Sequence, residues 1–372
     1  MSRKTLGACA GVLAAVGIYT FPAGGYHDGA RDTRAQSPRH AVAAELRDRA
    51  LRHARIRLGD FHPAALTASP GDPTGILTGE RVTCRFMPRP PSGTSSKFDC
   101  VLDNGEVVRV KYKREAEIHA EVAGTHLLAA LGYAADDVFM VPRLRCYGCP
   151  ADPFVTMRVL DLTGGHAFFA PAEDDGEFAD FEWVAVERKF DATPIEDETR
   201  EGWGWWELKD VDAPRAEIDA LRLISVFLAH WDNKSDNQRL VCMDATFAPD
   251  RPCADPLLMI QDVGATFGPM KVNLARWREM PVWSDPATCA VSMRALPYHG
   301  STFPDARIAE AARVRTGRDL ASFTDADLRA WFAAARFPQF YTPTDDEKDL
   351  AAWTGAFRHR VDQILGAGPC PQ

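Results

Sequence analysis

The sequence predicts an α+β chain in two lobes, a β-rich lobe with one helix followed by an α-rich lobe. Three observations carry that expectation. Between residues 81 and 113, β-branched and aromatic residues alternate or cluster in the runs "RVTCRFM", "KFDCVLD" and "EVVRVKYK", with a "DNG" hairpin signal at 103–105. One helical segment follows, "EAEIHAEVAGTHLLAALG" (115–132), with Ile118, Val122 and Leu128 on a helical period and Gly132 at its end. Beyond Ile195 helical patterns dominate, led by "RAEIDALRLISVFLAH" (215–230).

The remaining elements fall into place around these. "FMVPRLRCYG" and "FEWVAVERKF" read as further strands of the first sheet, separated by a polar excursion. Two late helices are signalled by the capping-box patterns "TDAD" at 324–327 and "TDDE" at 344–347. The expected organisation is a signal peptide or N-terminal anchor over 1–25, a linker with a helical stalk over 26–79, the first lobe over 80–195 and the second over 196–372. In the linker, "HAVAAELRDRALRHARIRLGDF" reads as a solvated basic helix, with contact to anionic lipid as the alternative.

Composition narrows the function. A chain of 372 residues with 46% hydrophobic and 26% charged residues can bury the core of two lobes, and a net charge of -9 lacks the basic footprint of a nucleic-acid binder. The N-terminus has two cations, an uncharged apolar run from Thr5 to Phe21, and then small residues, the form of an export signal. The expected location is therefore periplasmic, secreted or in a secretory lumen, with membrane anchoring through an uncleaved 5–21 segment as the second expectation. "LGA" before Cys9 imitates a lipoprotein box, but the apolar run follows that cysteine instead of preceding it. The other eight cysteines, an even number, suit disulfides. Cys146 and Cys149 in "RCYGCP" also have the spacing of a zinc half-site or redox pair, though no second CxxC accompanies them.

The chemistry gathers in the second half. "AHWDNKSDNQ" (229–238) crowds His, Trp, Asp, Lys, Ser and Asn directly after an apolar helix, and "LLMIQDVGATFG" (257–268) is an apolar strand ending in Asp262 with Gly264 behind it. Upstream lie "SGTSSKF" (92–98), "VRVK" ending in Lys111, and the helix bearing Glu117 and Glu121. A metal-nucleotide site needs such parts: backbone donors over phosphates, a buried Lys, and two oxygen ligands for Mg²⁺.

In that order the fragments resemble the protein-kinase-like superfamily, and within it the atypical branch of phosphatidylinositol 3- and 4-kinases, HipA-type kinases and secretory-pathway kinases. "HWDNKSDN" matches the pattern His-x-Asp-x-Lys-x-x-Asn, with Trp231 in place of the central Arg, and "QDVGATF" is similar to Asp-x-Gly-x-x-Phe. The resemblance covers 92–268. It implies a two-lobed kinase-like fold and transfer of the γ-phosphoryl of ATP to a hydroxyl acceptor on a protein, lipid or glycan, with Mg²⁺ or Mn²⁺. Asp232 is implied as base or hydroxyl-orienting carboxylate, Lys234 as charge neutraliser, and Asn237 and Asp262 as metal ligands. Gly93, Thr94, Ser95 and Lys111 are implied at the nucleotide phosphates, with Glu121, or else Glu117, pairing the lysine.

Other readings stay open. Lys113 shares a strand face with Lys111, and Arg109 stands where a small residue beside adenine is usual. His119 and His126 read as ordinary helix residues, His230 as a tie between its loop and the Asp262 region, and Trp203, Trp205 and Trp206 as packing residues. An exported pseudokinase acting as a binding or scaffolding module is the alternative function, and a disulfide-stabilised domain unrelated to kinases is the third.

Overall fold

In the computed structural model, the alternating residues between 82 and 188 close into a five-stranded barrel. The structure describes residues 41–372 other than 68–71, 73, 74, 92, 114, 166–175, 298–301, 304, 341 and 372. The expected export segment or anchor, the linker up to residue 40 and Ser92 therefore lie outside the described residues. Among the described residues no helix is long and apolar enough to cross a membrane.

The first helix, α1 (Ala44–His53), corrects an expectation, because it is docked rather than solvated. Val42, Ala50, Leu51, Ala54 and Ile56 are buried, and the fully enclosed Arg47 donates to the Gly202 carbonyl at 2.5 Å and to Glu207 at 2.8 Å. Those partners stand about 155 residues downstream, so a reading of local amphipathicity sees only a thin apolar face.

The barrel follows the pleat. Strands β1 (Val82–Met87), β2 (Lys97–Leu102) and β3 (Val107–Lys111) pair antiparallel around the predicted turn, and helix α2 (Ala116–Ala130) comes next. After the short β4 (Ala134–Ala135) come β5 (Asp137–Tyr147), helix α3 (Pro153–Leu162) and β6 (Phe178–Arg188). The order is β1-β2-β3-β6-β5, closed by a parallel pairing of β1 with β5. Period-2 alternation sends Phe98, Cys100, Val108, Val110, Phe139, Val141 and Val186 inward to one apolar cluster. The opposite face of β2, β3 and β6 consequently carries Lys97, Asp99, Arg109, Lys111 and Glu187, which occupy matching register positions.

The rest is more sheet-bearing than expected. After β7 (Thr193–Pro194) and α4 (Arg215–Leu228), the chain forms β8 (Gln238–Cys242) and β9 (Pro256–Ile260), giving a four-stranded sheet β4-β9-β8-β7. β9 is the predicted apolar strand before Asp262; β8, only five residues long and directly after a polar loop, has no period long enough to read. Helices α5 (Leu274–Glu279), α6 (Glu310–Ala321), α7 (Asp325–Ala334) and α8 (Leu350–Gly366) complete the chain. Thr324 and Asp327 cap α7 reciprocally as "TDAD" predicts. "TDDE" makes the same box through Thr344 and Glu347 but opens only a 3₁₀ turn, and α8 starts later, under Asp349.

One large core joins α2, α4 and the C-terminal helices. At its centre Phe267 lies edge-on to Trp277 and Phe337, 5.1 and 5.2 Å between ring centroids. All eight cysteines beyond residue 40 are paired: Cys84–Cys100, Cys146–Cys149, Cys242–Cys253 and Cys289–Cys370.

Candidate functional site

The site is assembled where β3, α2, β6 and the segment after β9 converge on one ammonium. Lys111, at the end of β3, points away from the barrel interior and is 2.6 Å from both carboxylate oxygens of Glu121. It also stands 3.4 Å from Glu187 and 3.7 Å from Asp262. Burial disfavours the ammonium, yet the three carboxylates outweigh it and hold Lys111 well above its usual range. The same crowding acts on Glu121: burial pushes its carboxyl up, Lys111 opposes, and Glu187 and Asp262 reinforce the rise.

The two glutamates offered by the sequence thus separate. Glu121 takes the lysine, whereas Glu117, one turn earlier, accepts a 2.5 Å hydrogen bond from the Ser95 hydroxyl. Ser95 belongs to the loop of Gly93 and Thr94, which is further held by Arg158 donating to the Gly93 carbonyl at 2.9 Å. Gly93 adopts φ 71, a conformation that favours glycine. Lys113 points elsewhere, pairing with Asp152 at 2.8 Å.

The segment after β9 that bears Asp262 is pressed against α2 because small residues allow it. A Cβ on Gly124 would sit 2.9 Å from Val263, and one on Gly264 would be 2.5 Å from the Glu117 side chain. Asp262 itself takes φ 50, a left-handed conformation uncommon outside glycine that Asp adopts more readily than most side chains. Phe267, five residues on, is locked in the aromatic core, and its N–H donates to the Leu228 carbonyl at 2.8 Å. Burial works against the Asp262 charge, but the Lys111 and Lys97 ammoniums hold its carboxyl below the usual range.

The loop after α4 begins where the helix is stopped by Ala229 in the left-handed conformation, with His230 N–H reaching back to the Ser225 carbonyl. His230 is buried and hydrogen-bonded to the Asp262 backbone, and burial pulls its pKa down to about 4, so it is neutral. This is the tie expected between the two segments. Asp232 lies 3.3 Å from Lys234, and burial raises its carboxyl against that lysine's pull. Asn237 donates from Nδ2 to the Asp232 carbonyl at 2.7 Å, while its own carbonyl accepts from Gln261 N–H at 3.0 Å, next to Asp262. All residues proposed from the 230–237 and 262 segments are therefore brought together, with Lys111 and Glu121 beside them.

Sequence reasoning missed several groups. Glu187, an acid inside the apolar run "WVAVER", sits opposite Arg109 in register and joins Lys111 to Lys189 and Asp136. Its oddity in that run is the one signal available. Arg109 donates to Asp99 at 3.0 Å, which explains how a cation is tolerated two positions before Lys111. Lys97 has no carboxylate within 4 Å among the described residues; burial and the neighbouring Lys111 and Arg109 charges lower its pKa. The 230–238 loop is propped from below: Trp205 donates to the Asn233 carbonyl at 3.1 Å, and a side chain on Gly202 would collide with the Ser235 and Gln238 carbonyls. Trp203 and Trp205 are buried packing residues as expected, whereas Trp206 is exposed. His119 and His126 are buried in α2, bonded to the Ala335 and Val138 carbonyls.

No protein-family model matches the chain, and no curated protein matches it. Among solved structures, it is similar to the Helicobacter pylori proinflammatory kinase CtkA, at 8% identity over 76% of this chain and 93% of that one, with a TM-score of 0.41. It is also similar to the kinase domain of maize SIRK1 (sucrose-induced receptor kinase 1) bound to AMP-PNP, at 14% identity over 72% of this chain and 75% of that one, with a TM-score of 0.20. Overlaps this loose transfer no residue role.

Proposed function

We propose that the chain is an atypical kinase-like phosphotransferase with a two-lobed fold, transferring the γ-phosphoryl of ATP to a hydroxyl acceptor on a protein, lipid or glycan. The observation that carries this reading is the Lys111–Glu121 pair with Asp262 3.7 Å from the same ammonium, next to a loop presenting Asp232, Lys234 and Asn237. Segments from residues 111–121, 232–237 and 262 bring together groups that phosphoryl transfer requires.

The donor set suits a hard divalent cation. Asp262 is held charged, and Asn237 spends its Nδ2 on the Asp232 carbonyl, leaving Oδ1 as a neutral oxygen donor. Mg²⁺ or Mn²⁺ held by these two would neutralise phosphate charge. Lys111, fixed by Glu121, grips the phosphates, and the Gly93–Ser95 loop covers them. Asp232 orients the acceptor hydroxyl and takes its proton as the oxygen–phosphorus bond forms and the bond to ADP breaks. Lys234 offsets the charge spread over the transferring group. The fixed positions of these groups supply most of the rate.

A second reading, an exported pseudokinase that binds without turnover, is favoured by one observation: the Arg109–Asp99 ion pair occupies the sheet face beside Lys111, where a base would stack. The disulfide pairs are in keeping with export, the location we propose, with anchoring through 5–21 as its variant.

The test is a thermal-shift titration with ATP and GTP, with and without Mg²⁺ or Mn²⁺, followed by a transfer assay. A metal-dependent shift is expected and should vanish in Asp262→Ala. A ligand at 100 times its Kd stabilises by about 2.7 kcal/mol. Absence of any shift in the wild-type protein would sink the nucleotide site. A shift with no transfer, unaltered by Asp232→Asn, would favour the pseudokinase.

A further inference from the structure

The barrel interior holds four sulfurs that the phosphotransfer reading does not use. Cys84 on β1 is the direct register partner of Cys146 on β5, and Cys100 lies on the adjacent β2. The Sγ atoms of these three residues all fall within 4.8 Å of one another, and Cys149 is joined to Cys146. Two disulfides from three strands and a turn therefore stand side by side, with Cys100 Sγ 3.8 Å from Cys146 Sγ. In the sequence, Cys146-Tyr147-Gly148-Cys149 is a half-site with no second half. The fold supplies the missing half by closing β1 onto β5.

The spacing has a chemical meaning. A tetrahedral tetrathiolate zinc site has Zn–S bonds of about 2.3 Å, so its sulfurs stand about 3.8 Å apart. The Cys100–Cys146 separation is already one edge of that tetrahedron. The Cα pairs 84–100 and 146–149, at 5.8 and 5.5 Å, lie on neighbouring backbone and need only turn their side chains to open the other edges. Gly148, at φ 71, makes the tight turn between the two cysteines of the pair. Cys84, Cys100 and Cys146 are buried, while Cys149 is partly exposed and gives a reductant its entry. Among the described residues no other set of three His, Cys, Asp or Glu side chains is gathered in this way.

We propose that Cys84, Cys100, Cys146 and Cys149 form a two-state site: a pair of disulfides when oxidised and a structural Zn²⁺ site when reduced. In the conversion each disulfide accepts two electrons and two protons from a dithiol, which itself becomes a disulfide. The four thiols then release four protons as Zn²⁺ binds their thiolates. The oxidised state ties β1 to β2 and closes the turn after β5, whereas the zinc state would tie β1, β2 and the end of β5 to one ion, so the barrel keeps a crosslink in both an oxidising and a reducing compartment.

The full chain is reduced anaerobically with a phosphine, freed of reductant, incubated with Zn²⁺ or Co²⁺, and repurified for metal analysis and circular dichroism. Uptake of about one ion per chain is expected, with no uptake by the unreduced protein and with the ligand-field bands of four-thiolate tetrahedral Co²⁺. Cys84→Ser should abolish the four-sulfur spectrum, whereas the Cys242→Ser/Cys253→Ser double variant should keep it. The proposal is overturned if the reduced wild-type protein takes up no metal, including the case in which the barrel unfolds and added zinc does not restore it. Uptake with a spectrum unchanged by Cys84→Ser overturns it as well. None of these outcomes depends on nucleotide binding.

Discussion

The two halves of the candidate site are held by opposite means. Around Lys111, one ammonium is shared among Glu121, Glu187 and Asp262 from three separate elements, so charge positions the group. The loop carrying Asp232 is fixed almost without charge: neutral His230 on the Asp262 backbone, Asn233 on the His230 carbonyl, Trp205 on the Asn233 carbonyl, and Gly202 against the loop backbone. The contrast suits their proposed tasks. A group that grips phosphates must exchange partners when ligand arrives, and an ion cluster can redistribute. A carboxylate that orients a hydroxyl must not move, and uncharged hydrogen bonds in a packed setting are indifferent to ligand charge.

Lys111→Met breaks the comparison most severely. It leaves three buried or half-buried carboxylates without their shared cation, and a loss of about 3–5 kcal/mol in urea unfolding is expected. Adding Glu121→Gln should recover part of that loss, since Glu121 is the carboxylate whose ion pair is with Lys111, whereas Glu187 keeps Lys189. A cost below about 1 kcal/mol would mean that charge does not hold this half together.

The neutral half is tested through pH. His230 stays neutral in the folded chain down to about 4, whereas in the unfolded chain it takes up a proton near 6.5. The unfolded state therefore binds an extra proton between those values. This contribution is fully present above about pH 6.5, falls as pH drops, and levels off below about pH 4, for a total of about 3 kcal/mol. His230→Gln should flatten that part of the unfolding free-energy profile; the same slope in both proteins would show that His230 is solvated. Next in size, Gly202→Ala should cost about 2–3 kcal/mol, because the methyl meets two loop carbonyls at a left-handed position. The smallest effect sharpens the choice of lysine: Lys113→Ala removes an exposed pair with Asp152 and should change stability by less than about 1 kcal/mol while leaving nucleotide-dependent stabilisation intact.

Much of the site was legible because its signal is local. Asp232, Lys234 and Asn237 sit within six positions, Asp262 closes an apolar strand, and Lys111 ends an alternating one, so residue type and spacing suffice. Glu121 and Glu117 share one helix face, and the structure adds what the pattern cannot hold, namely that Glu117 is engaged by Ser95. Glu187, Lys97 and Trp205 escaped because each acts across a sequence separation of 14 to 76 positions or through a backbone carbonyl, and no periodicity records such a contact.

By itself the sequence determined the strands of the barrel, the course of α2 and α4, and the identity of the polar loop, since these follow from period, capping and turn chemistry within short windows. Tertiary structure alone decided that the basic helix is docked through Arg47, that one lysine answers to three carboxylates, and that four cysteines from three strands and a turn share one interior. Each of those facts depends on which distant segments the closed barrel and the helical core press together, and the burial that gives them their energy exists only after folding.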